Sequence, residues 1–440
     1  MSIFDVLALF GGLALFLFGM NVMGDGLTRA AGGKMERILE KLTSTPIKGV
    51  LLGAAVTAVI QSSSATTVMV VGFVNSGIMK LRQAVGIIMG ANIGTTVTSW
   101  ILSLSGIQGD SIWIQMLKPS SFSPILAVIG IAFLMFSKNE KKHDIGMIFL
   151  GFTILMYGMD AMSGAVAPLA DVPEFANVLL MFSNPVLGMI VGTLFTAIIQ
   201  SSSASVGILQ ALCMTGAVTY GTALPIIMGQ NIGTCVTALL SSIGAKKNAK
   251  RAAFVHLYFN LIGTILFMIV FYSINAFVNF GVLQDMATPA GIAVIHSIFN
   301  ILTTIVLLPF GKGLEKLATL TIREKEEPVE EIAELVPLKH LDARFLEQPA
   351  FAVTQSMDVM NQMAGYSAEA LYDSLELMKD YSEEKWQRVE ALEDIVDKYE
   401  DELGTYLAKS AEKNWQRKTA NVYPMGFIVS EIWSVSPTMH

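Results

Sequence analysis

The sequence predicts an all-α polytopic membrane protein with inverted repeats and two re-entrant helical hairpins, plus a small cytoplasmic helical hairpin domain. Three observations lead to this prediction: long apolar segments, polar clusters inside two shorter apolar stretches, and an internal repeat. Of the 440 residues, 53% are hydrophobic and 15% are charged, which is more apolar and less charged than soluble globular domains are. We therefore expect residues 1–312 to form a transmembrane domain.

Seven segments are long and apolar enough to cross a bilayer, since a spanning helix needs about 17 to 25 apolar residues. They are residues 3–20, 83–103, 121–137, 145–162, 222–243, 252–275 and 290–310. No basic residue precedes the first segment and no cleavage site follows it, so we expect a membrane helix there rather than a removed signal peptide. Cys213 and Cys235 both lie in apolar segments, so no disulfide framework is predicted.

Two further apolar stretches are interrupted by polar clusters, "QSSSATT" at 61–67 and "QSSSAS" at 200–205. The flanking segments, 47–60 with 64–79 and 186–199 with 204–219, each have the length of a half-helix, about 15 residues. Irregular backbone at membrane depth is tolerated only inside the protein or beside a water-filled cavity. We therefore predict two hairpins that each enter and leave by one face, with their polar tips inside.

The distribution of basic residues supports re-entry. Clusters occur within 29–48, 80–82, 138–142, 246–251 and 312–316. With seven crossings and two re-entrant hairpins all of them fall on one side, which is then the cytoplasmic side. The opposite loops contain only Lys118 as a basic residue. We predict a multi-pass inner-membrane protein with its N-terminus outside and its C-terminus in the cytoplasm.

The internal repeat has a constant offset. Gln61 and Gln200 are separated by 200 − 61 = 139 positions, and the same offset aligns "GANIGTTVT" at 90–98 with "GQNIGTCVT" at 229–237. The copies span about residues 12–103 and 151–242. Their first helices run in opposite directions in the predicted topology, so the repeats are inverted. Inverted repeats with interrupted helices near the midplane are typical of secondary transporters that work by alternating access.

The repeated residues indicate the chemistry of the site. Amide and hydroxyl oxygens suit a hard cation such as Na⁺, and the free N–H groups that begin the second half of each hairpin suit an anion. No arginine or lysine is predicted at membrane depth, where an unpaired charge is costly. An oxyanion carried with sodium fits both features. A hydrogen bond between neighbouring helices explains any single serine equally well. It accounts poorly for two duplicated clusters, because each of their many buried hydroxyl and amide groups would need a partner.

The paired motifs "QSSSATT" with "GANIGTT", and "QSSSAS" with "GQNIGTC", resemble the signatures of the type II sodium-dependent phosphate cotransporter family in its bacterial form. The resemblance covers about residues 5–312. It implies sodium-driven uptake of inorganic phosphate, with Na⁺ as a co-transported ion. The phosphate contacts predicted on this basis and from the second motif are Gln61, Ser62, Ser63, Ser64, Gln200, Ser201, Ser202, Ser203, Asn92 and Asn231. The predicted sodium ligands are Gln61, Ser62, Thr66, Thr67, Gln200, Ser201, Ser205, Thr95 and Thr234.

Beyond the membrane part the chain becomes charged and amphipathic. Residues 313–348 are predicted as a charged linker, and residues 349–413 form two amphipathic helices that resemble the PhoU-type region of bacterial relatives. Residues 414–440 lack a helical period and are predicted as an irregular tail, so we expect the third helix of such a bundle to be missing. Glu393 and Asp397 have a spacing that suits a metal, although such pairs are common on solvated helices.

Several alternatives remain open at this point. A transporter of sulfate or of a carboxylate would use the same donors. His256 and His296, each followed four residues later by an asparagine, suit helix-interface or gating roles better than proton coupling. They could also serve an intramembrane serine hydrolase as the base, but no Gly-x-Ser-x-Gly motif surrounds the tip serines. A phosphate sensor is a further possibility. The predicted partners are phosphate, sodium and the lipid bilayer, without nucleic acid, and a homodimer is left open.

Overall fold

The computed structural model describes residues 3–31, 45–107, 111–168, 172, 181–323, 333–347 and 349–412. The α-helices in these ranges are α1 (Ile3–Ala31), α2 (Pro46–Ile60), α3 (Ser63–Ser76), α4 (Leu81–Ser103), α5 (Ile112–Leu117), α6 (Pro119–Phe136), α7 (Glu140–Val166), α8 (Pro185–Ile199), α9 (Ser202–Cys213), α10 (Tyr220–Ser241), α11 (Lys247–Val278), α12 (Pro289–Leu307), α13 (Gly311–Thr321), α14 (Pro349–Leu377) and α15 (Glu383–Glu412). Short 3₁₀ segments cover Leu104–Gly106, Gly281–Gln284, Leu308–Phe310, Ala333–His340 and Ala343–Glu347.

Seven helical segments within the described ranges are long and apolar enough to cross a membrane, and each coincides with a predicted crossing. Several are longer than their apolar segments. Helix α1 continues to Ala31, and α11 runs from Lys247 to Val278. Hydropathy marks only the part of a helix that suits lipid, whereas the backbone hydrogen bonds continue into the interfacial region. The chain is therefore an all-α, multi-pass membrane protein.

Four shorter helices form two helix-break-helix units, α2 with α3 and α8 with α9. Each first half begins with a proline, Pro46 or Pro185, at the position where a missing N–H costs no hydrogen bond. Each first half ends at a glutamine in the left-handed region, with φ of 59° at Gln61 and 57° at Gln200. A left-handed residue stops an α-helix, because it turns the next peptide unit away from the helix axis.

The second halves end earlier than predicted. Helix α3 ends at Ser76 and α9 at Cys213, whereas the apolar sequence continued to residues 79 and 219. Gly77 has a φ of 84° and Gly216 a φ of 71°, which glycine adopts without the steric penalty of a β-carbon. The turns therefore begin at or near these glycines, inside sequence that is still apolar.

Helices α1 and α7 approach each other closely through glycines. A Cβ on Gly19 would lie 2.3 Å from the backbone nitrogen of Leu155, and a Cβ on Gly158 would lie 2.4 Å from that of Phe16. The two contacts are related by the repeat offset, since 158 − 19 and 155 − 16 are both 139. Small residues at such positions allow the backbones of membrane helices to pack directly.

The half-helices before each break pack against the helices that carry the second motif in the same way. A Cβ on Gly53 of α2 would lie 2.1 Å from the carbonyl oxygen of Ile87 on α4, and a Cβ on Gly192 of α8 would lie 2.2 Å from that of Ile226 on α10. These contacts also differ by 139 positions. They bring each polar tip beside the second motif of its own repeat.

The chain divides into two compact units, residues 1–71 with 79–323 and residues 72–78 with 324–440. In the second unit α14 and α15 pack together through an apolar core of Val359, Met363, Val396, Tyr399, Leu403 and Leu407. The predicted linker, residues 313–348, contains much of α13 and two 3₁₀ segments. Phe345 is fully buried, with its ring 5.2 Å from that of Phe73, so part of this charged segment packs through apolar side chains. The predicted tail, residues 414–440, lies outside the described residues.

The glycine contact between α1 and α7 predicts that alanine substitutions at two glycines of α1 change the stability of the protein by different amounts. We expect Gly19→Ala to lower the free energy of unfolding by about 2 kcal/mol, because its Cβ meets backbone atoms that can move only if the helices separate. Gly11→Ala is the matched control on α1, since nothing lies within 4 Å of that Cβ. Thermal unfolding in detergent measures both variants. Equal melting temperatures would contradict the close contact.

Candidate functional site

The two tip glutamines share a backbone conformation but differ in their surroundings. Gln61 is 4% exposed. Its Nε2 donates to the carbonyl oxygen of Ala58, and its Oε1 accepts from the hydroxyl of Thr98 at 3.0 Å. Gln200 has nearly the same backbone angles, but its side chain is exposed. One predicted ligand is thus held by the second-motif helix, and the other is not.

One serine in each tip caps the helix that follows it. The backbone N–H of Ala65 donates to Ser62 Oγ at 3.1 Å, and that of Ala204 donates to Ser201 Oγ at 3.2 Å. Each cap satisfies one of the free N–H groups that begin a helix. The other predicted tip serines are Ser63, Ser202 and Ser203, which are buried, and Ser64, which is half-buried.

A hydroxyl bridge joins the two halves of each helix-break-helix unit, and these units, residues 46–76 and 185–213, are called hairpin one and hairpin two after the predicted hairpins to which they correspond. Thr57 Oγ1 donates to Thr66 Oγ1 at 3.0 Å, and Thr196 Oγ1 donates to Ser205 Oγ at 2.8 Å. The two bridges are again 139 positions apart. Thr66 and Ser205 were predicted as sodium ligands, and a hydroxyl that accepts one hydrogen bond keeps a second lone pair. The bridges therefore position these oxygens while leaving them able to accept a cation.

The hairpins are not equivalent at one predicted sodium ligand. Thr67 is 1% exposed and its hydroxyl donates to the carbonyl oxygens of Ser63 at 2.9 Å and Ser64 at 3.0 Å. The second hairpin has Val206 at the corresponding position. The hydroxyl of Thr67 thus helps to order the first tip, and the second tip has no such group.

The second motif presents buried oxygens from α4 and α10. Asn92 Nδ2 donates to the carbonyl of Ile88 and Asn231 Nδ2 to that of Ile227, both at 3.0 Å. The hydroxyls of Thr95 and Thr234 likewise donate to carbonyls one turn earlier, at 3.1 and 2.9 Å. Because these hydroxyls donate to their own helices, the groups left on Thr95 and Thr234 are acceptors. Acceptor oxygens suit Na⁺.

One hydrogen-bonded side chain links the two repeats directly. Gln210 on α9 is fully buried, and its Nε2 donates to the carbonyl oxygen of Ser99 on α4 at 3.1 Å and to that of Pro289 at 3.2 Å. The second hairpin is thereby bonded to the second-motif helix of the first repeat. Sequence reasoning did not single out Gln210, because no periodicity identifies a contact between distant helices.

Sequence reasoning also missed Thr57, Thr196 and Thr98. The repeat offset was the available signal, since 57 with 196 and 98 with 237 are threonine pairs 139 positions apart. Threonine is common in membrane helices, where it bonds to its own backbone. These threonine pairs therefore indicate residues near the site only once the breaks at Gln61 and Gln200 are located.

His256 and His296 are buried beside the motif helices rather than at the tips. Asn260, one turn after His256, donates from Nδ2 to Cys235 Sγ at 3.4 Å. In the described part of the chain no hydrogen bond joins either histidine to a tip serine, and no cluster of three or more histidine, cysteine or acidic side chains could hold a metal ion. The polar groups described at the tips and on the motif helices are neutral oxygen and amide groups.

Comparisons with known proteins agree with this chemistry. Residues 15–164 and 170–285 match a family model described as Na+/Pi-cotransporter. The chain is 31% identical over 315 residues to "Uncharacterized protein YqeW" of Bacillus subtilis, covering 71% of this chain and 97% of that protein. It is 25% identical over 368 residues to "Putative inorganic phosphate export protein YjbB" of Salmonella typhimurium, covering 81% of this chain and 64% of that protein.

A shorter region resembles a mammalian protein. Over 97 residues the chain is 39% identical to "Sodium-dependent phosphate transport protein 2A" of Rattus norvegicus, which is 21% of this chain and 15% of that protein. No solved structure matches the chain significantly. The family match includes both tips and both second motifs. By this match the chain belongs to the Na+/Pi-cotransporter family, whose members are transporters and not enzymes.

Proposed function

We propose that this protein is a secondary active transporter of the inner membrane that carries inorganic phosphate into the cytoplasm together with sodium, by alternating access. The observation that carries the proposal is the local structure that the two tips share. Each has a left-handed glutamine, a serine that caps the next helix and a hydroxyl bridge between its halves. A duplicated polar break of this kind is a recurring feature of ion-coupled transporters.

The proposal includes inverted repeats and re-entrant hairpins. Two features support them: the α1 to α7 glycine contact, which recurs with the repeat partners exchanged, and the short lengths of α2, α3, α8 and α9. A two-fold axis between α1 and α7 relates the Gly19 to Leu155 contact to the Gly158 to Phe16 contact, with the two helices exchanged. Hairpin one, residues 46–76, then opens toward the cytoplasm, and hairpin two, residues 185–213, opens toward the outside. The basic clusters favour this orientation.

The ligands divide by their chemistry. Phosphate takes hydroxyl donors from Ser63, Ser64, Ser202 and Ser203 and free backbone N–H groups at the start of α3 and α9. Sodium takes acceptor oxygens, with the best support at Thr66, Ser205, Thr95 and Thr234. The remaining candidate ligands are Gln61, Ser62, Thr67, Asn92, Gln200, Ser201 and Asn231. Co-bound sodium ions balance the charge of the anion, so a membrane-buried basic residue is unnecessary.

The direction of flux follows from the gradients. Each net positive charge that moves inward gains about 2.3 kcal/mol per 100 mV of membrane potential, and an inward sodium gradient adds to this. The Salmonella relative has export in its name, and a symporter reverses when its gradients reverse. Uptake is proposed here because the coupling ion is sodium.

Reconstitution tests coupling, substrate and direction together. Liposomes that carry the purified protein should take up labelled phosphate at least about 10-fold faster with an inward sodium gradient than with potassium in its place. Unlabelled sulfate in excess should leave that uptake unchanged, and vesicles preloaded with phosphate should release it when the sodium gradient is reversed. Sodium-independent flux, or equal transport of sulfate, would overturn the assignment.

The two glutamines should be required individually. We expect Gln61→Ala and Gln200→Ala each to reduce sodium-dependent uptake at least about 10-fold, because a lost ligand leaves a charged substrate or a buried partner unsatisfied, at a cost of about 1 to 3 kcal/mol. Gln284→Ala, which removes an exposed glutamine after α11, is the control. Normal uptake by both tip variants at equal membrane levels would exclude the tips from the site.

A shortened chain separates the transporter from the phosphate sensor. We expect a chain that ends at Glu347 to retain sodium-dependent uptake, because it lacks only α14, α15 and the residues beyond them. It keeps Phe345, which packs against Phe73 within the second unit. Western blotting of membranes gives the level of each protein. Loss of all net flux with normal insertion would instead favour a protein that reports phosphate through its C-terminal helices.

A further inference from the structure

The two tips are alike in backbone and unlike in side-chain bonding. Gln61 accepts a hydrogen bond from Thr98, and the residues at the repeat offset are Gln200 and Thr237. Gln200 is exposed, and within the described ranges its side chain makes no hydrogen bond. The hydroxyl oxygen of Thr237 is buried and likewise has no partner there. The same pair is therefore joined in one repeat and separated in the other.

We propose that Thr98 and Thr237 are positioning residues that hold the glutamine of the adjacent tip, and that the two contacts form alternately during transport. The Gln61 to Thr98 contact keeps hairpin one closed while hairpin two is open to the outside. The Gln200 to Thr237 contact closes hairpin two when hairpin one opens to the cytoplasm. This inference rests on the proposed function, since it assumes alternating access between hairpins of opposite orientation.

The strongest support is the comparison of Thr237 with Thr98. Buried hydroxyls in native proteins almost always have a hydrogen-bond partner, and that of Thr237 is one of several in the described residues that have none. The equivalent threonine, Thr98, has the tip glutamine as its partner. Gln200 ends its helix with φ of 57° and ψ of 22°, against 59° and 21° at Gln61. The backbone of tip two is thus already in the conformation in which a tip glutamine meets its threonine. The first half of each hairpin also packs on its motif helix in the same way, with 2.1 Å for the Cβ contact of Gly53 and 2.2 Å for that of Gly192, so the difference lies in the bonding of the glutamine side chain.

Divergence of the repeats is the competing explanation, and the residues around the pair limit it. The repeats do differ nearby, with Thr96 matched by Cys235 and Thr67 by Val206. At both of those positions the second repeat has no hydroxyl. At position 237 the second repeat has a threonine, as the first has at 98, although within the described residues the hydroxyl of Thr237 has no hydrogen-bond partner.

A physical link between the hairpins supports alternation. Gln210, on the second half of hairpin two, donates to the carbonyl oxygen of Ser99, the residue next to Thr98 on α4. Any shift of hairpin two that preserves this bond displaces the backbone that carries Thr98. Opening and closing of the two tips are thereby coupled through one helix.

Cysteine accessibility tests the alternation without measuring transport. Ser62→Cys in hairpin one is introduced into full-length protein that carries Cys213→Ala and Cys235→Thr, and it is labelled in inside-out vesicles with a membrane-impermeant maleimide. We expect Thr98→Val to raise the rate of cytoplasmic labelling about 3- to 10-fold and Thr237→Val to lower it by a similar factor, since each removes one hydrogen bond from one of the two states. Ser201→Cys, labelled from outside in intact cells, should change in the opposite direction in each variant.

Three controls separate positioning from general damage. Thr98→Ser keeps the hydroxyl and should restore the labelling rate. Thr96→Val removes a hydroxyl from the same helix that bonds only to its own backbone at Ile93, at a position where the second repeat has cysteine, and should leave the rate unchanged. Thr237→Val removes a group without a partner in this state, so its folding is not expected to suffer.

The outcomes distinguish this inference from the proposed function. Opposite shifts for Thr98→Val and Thr237→Val support alternation. Shifts in the same direction, or no shift in either variant, overturn it even if the unmutated protein shows sodium-dependent phosphate uptake. If the unmutated protein lacks that uptake, the proposed function fails, and opposite shifts would then describe a two-state membrane protein with another cargo.

Discussion

The candidate site depends first on one constraint: where an apolar helix breaks, its free backbone groups need hydrogen-bond partners from within the chain. The last hydrogen bonds of the two first halves run from the backbone N–H of Gln61 to Thr57 and from that of Gln200 to Thr196, and the side chain of Gln61 also donates to the carbonyl oxygen of Ala58. A serine next to each glutamine caps the following helix. The polar residues of the tips therefore stabilise the break itself. In the proposed function, the polar groups that the break does not use bind the ligands.

The polar groups that the breaks do not use are neutral, and neutral groups suit a transporter. A buried arginine would hold phosphate strongly but would remain as an uncompensated charge after release. Hydroxyls, amides and helix ends keep no net charge when the substrate leaves. In the proposed function, the cations that accompany the anion balance its charge during the crossing. The acceptor oxygens of Thr95 and Thr234, which donate to their own helices, fit the cation half of that arrangement.

The sequence was sufficient for the helices and for the location of the tips, because both depend on local composition and on the repeat. The seven crossings were found where the structure has them. The ends of α3 and α9 were misjudged, since turns at or near Gly77 and Gly216 interrupt sequence that remains apolar. The contacts of Thr98, Gln210 and Phe345 were not predicted, because each depends on which distant surfaces meet. The site residues themselves remain a proposal.

The similarity of the two repeats also limits the free-energy difference between the two states of the proposed transport cycle. If the two open states are related by exchanging the roles of the hairpins, the backbone packing within each hairpin and its motif helix is conserved, and the states differ by a few side-chain contacts. A hydrogen bond contributes about 1 kcal/mol net, which changes a population ratio about five-fold. Neither state is then strongly favoured without ligand. In the proposed cycle, the binding of phosphate and sodium would shift this balance, because the differential binding free energy need exceed only the free energy of a few side-chain contacts.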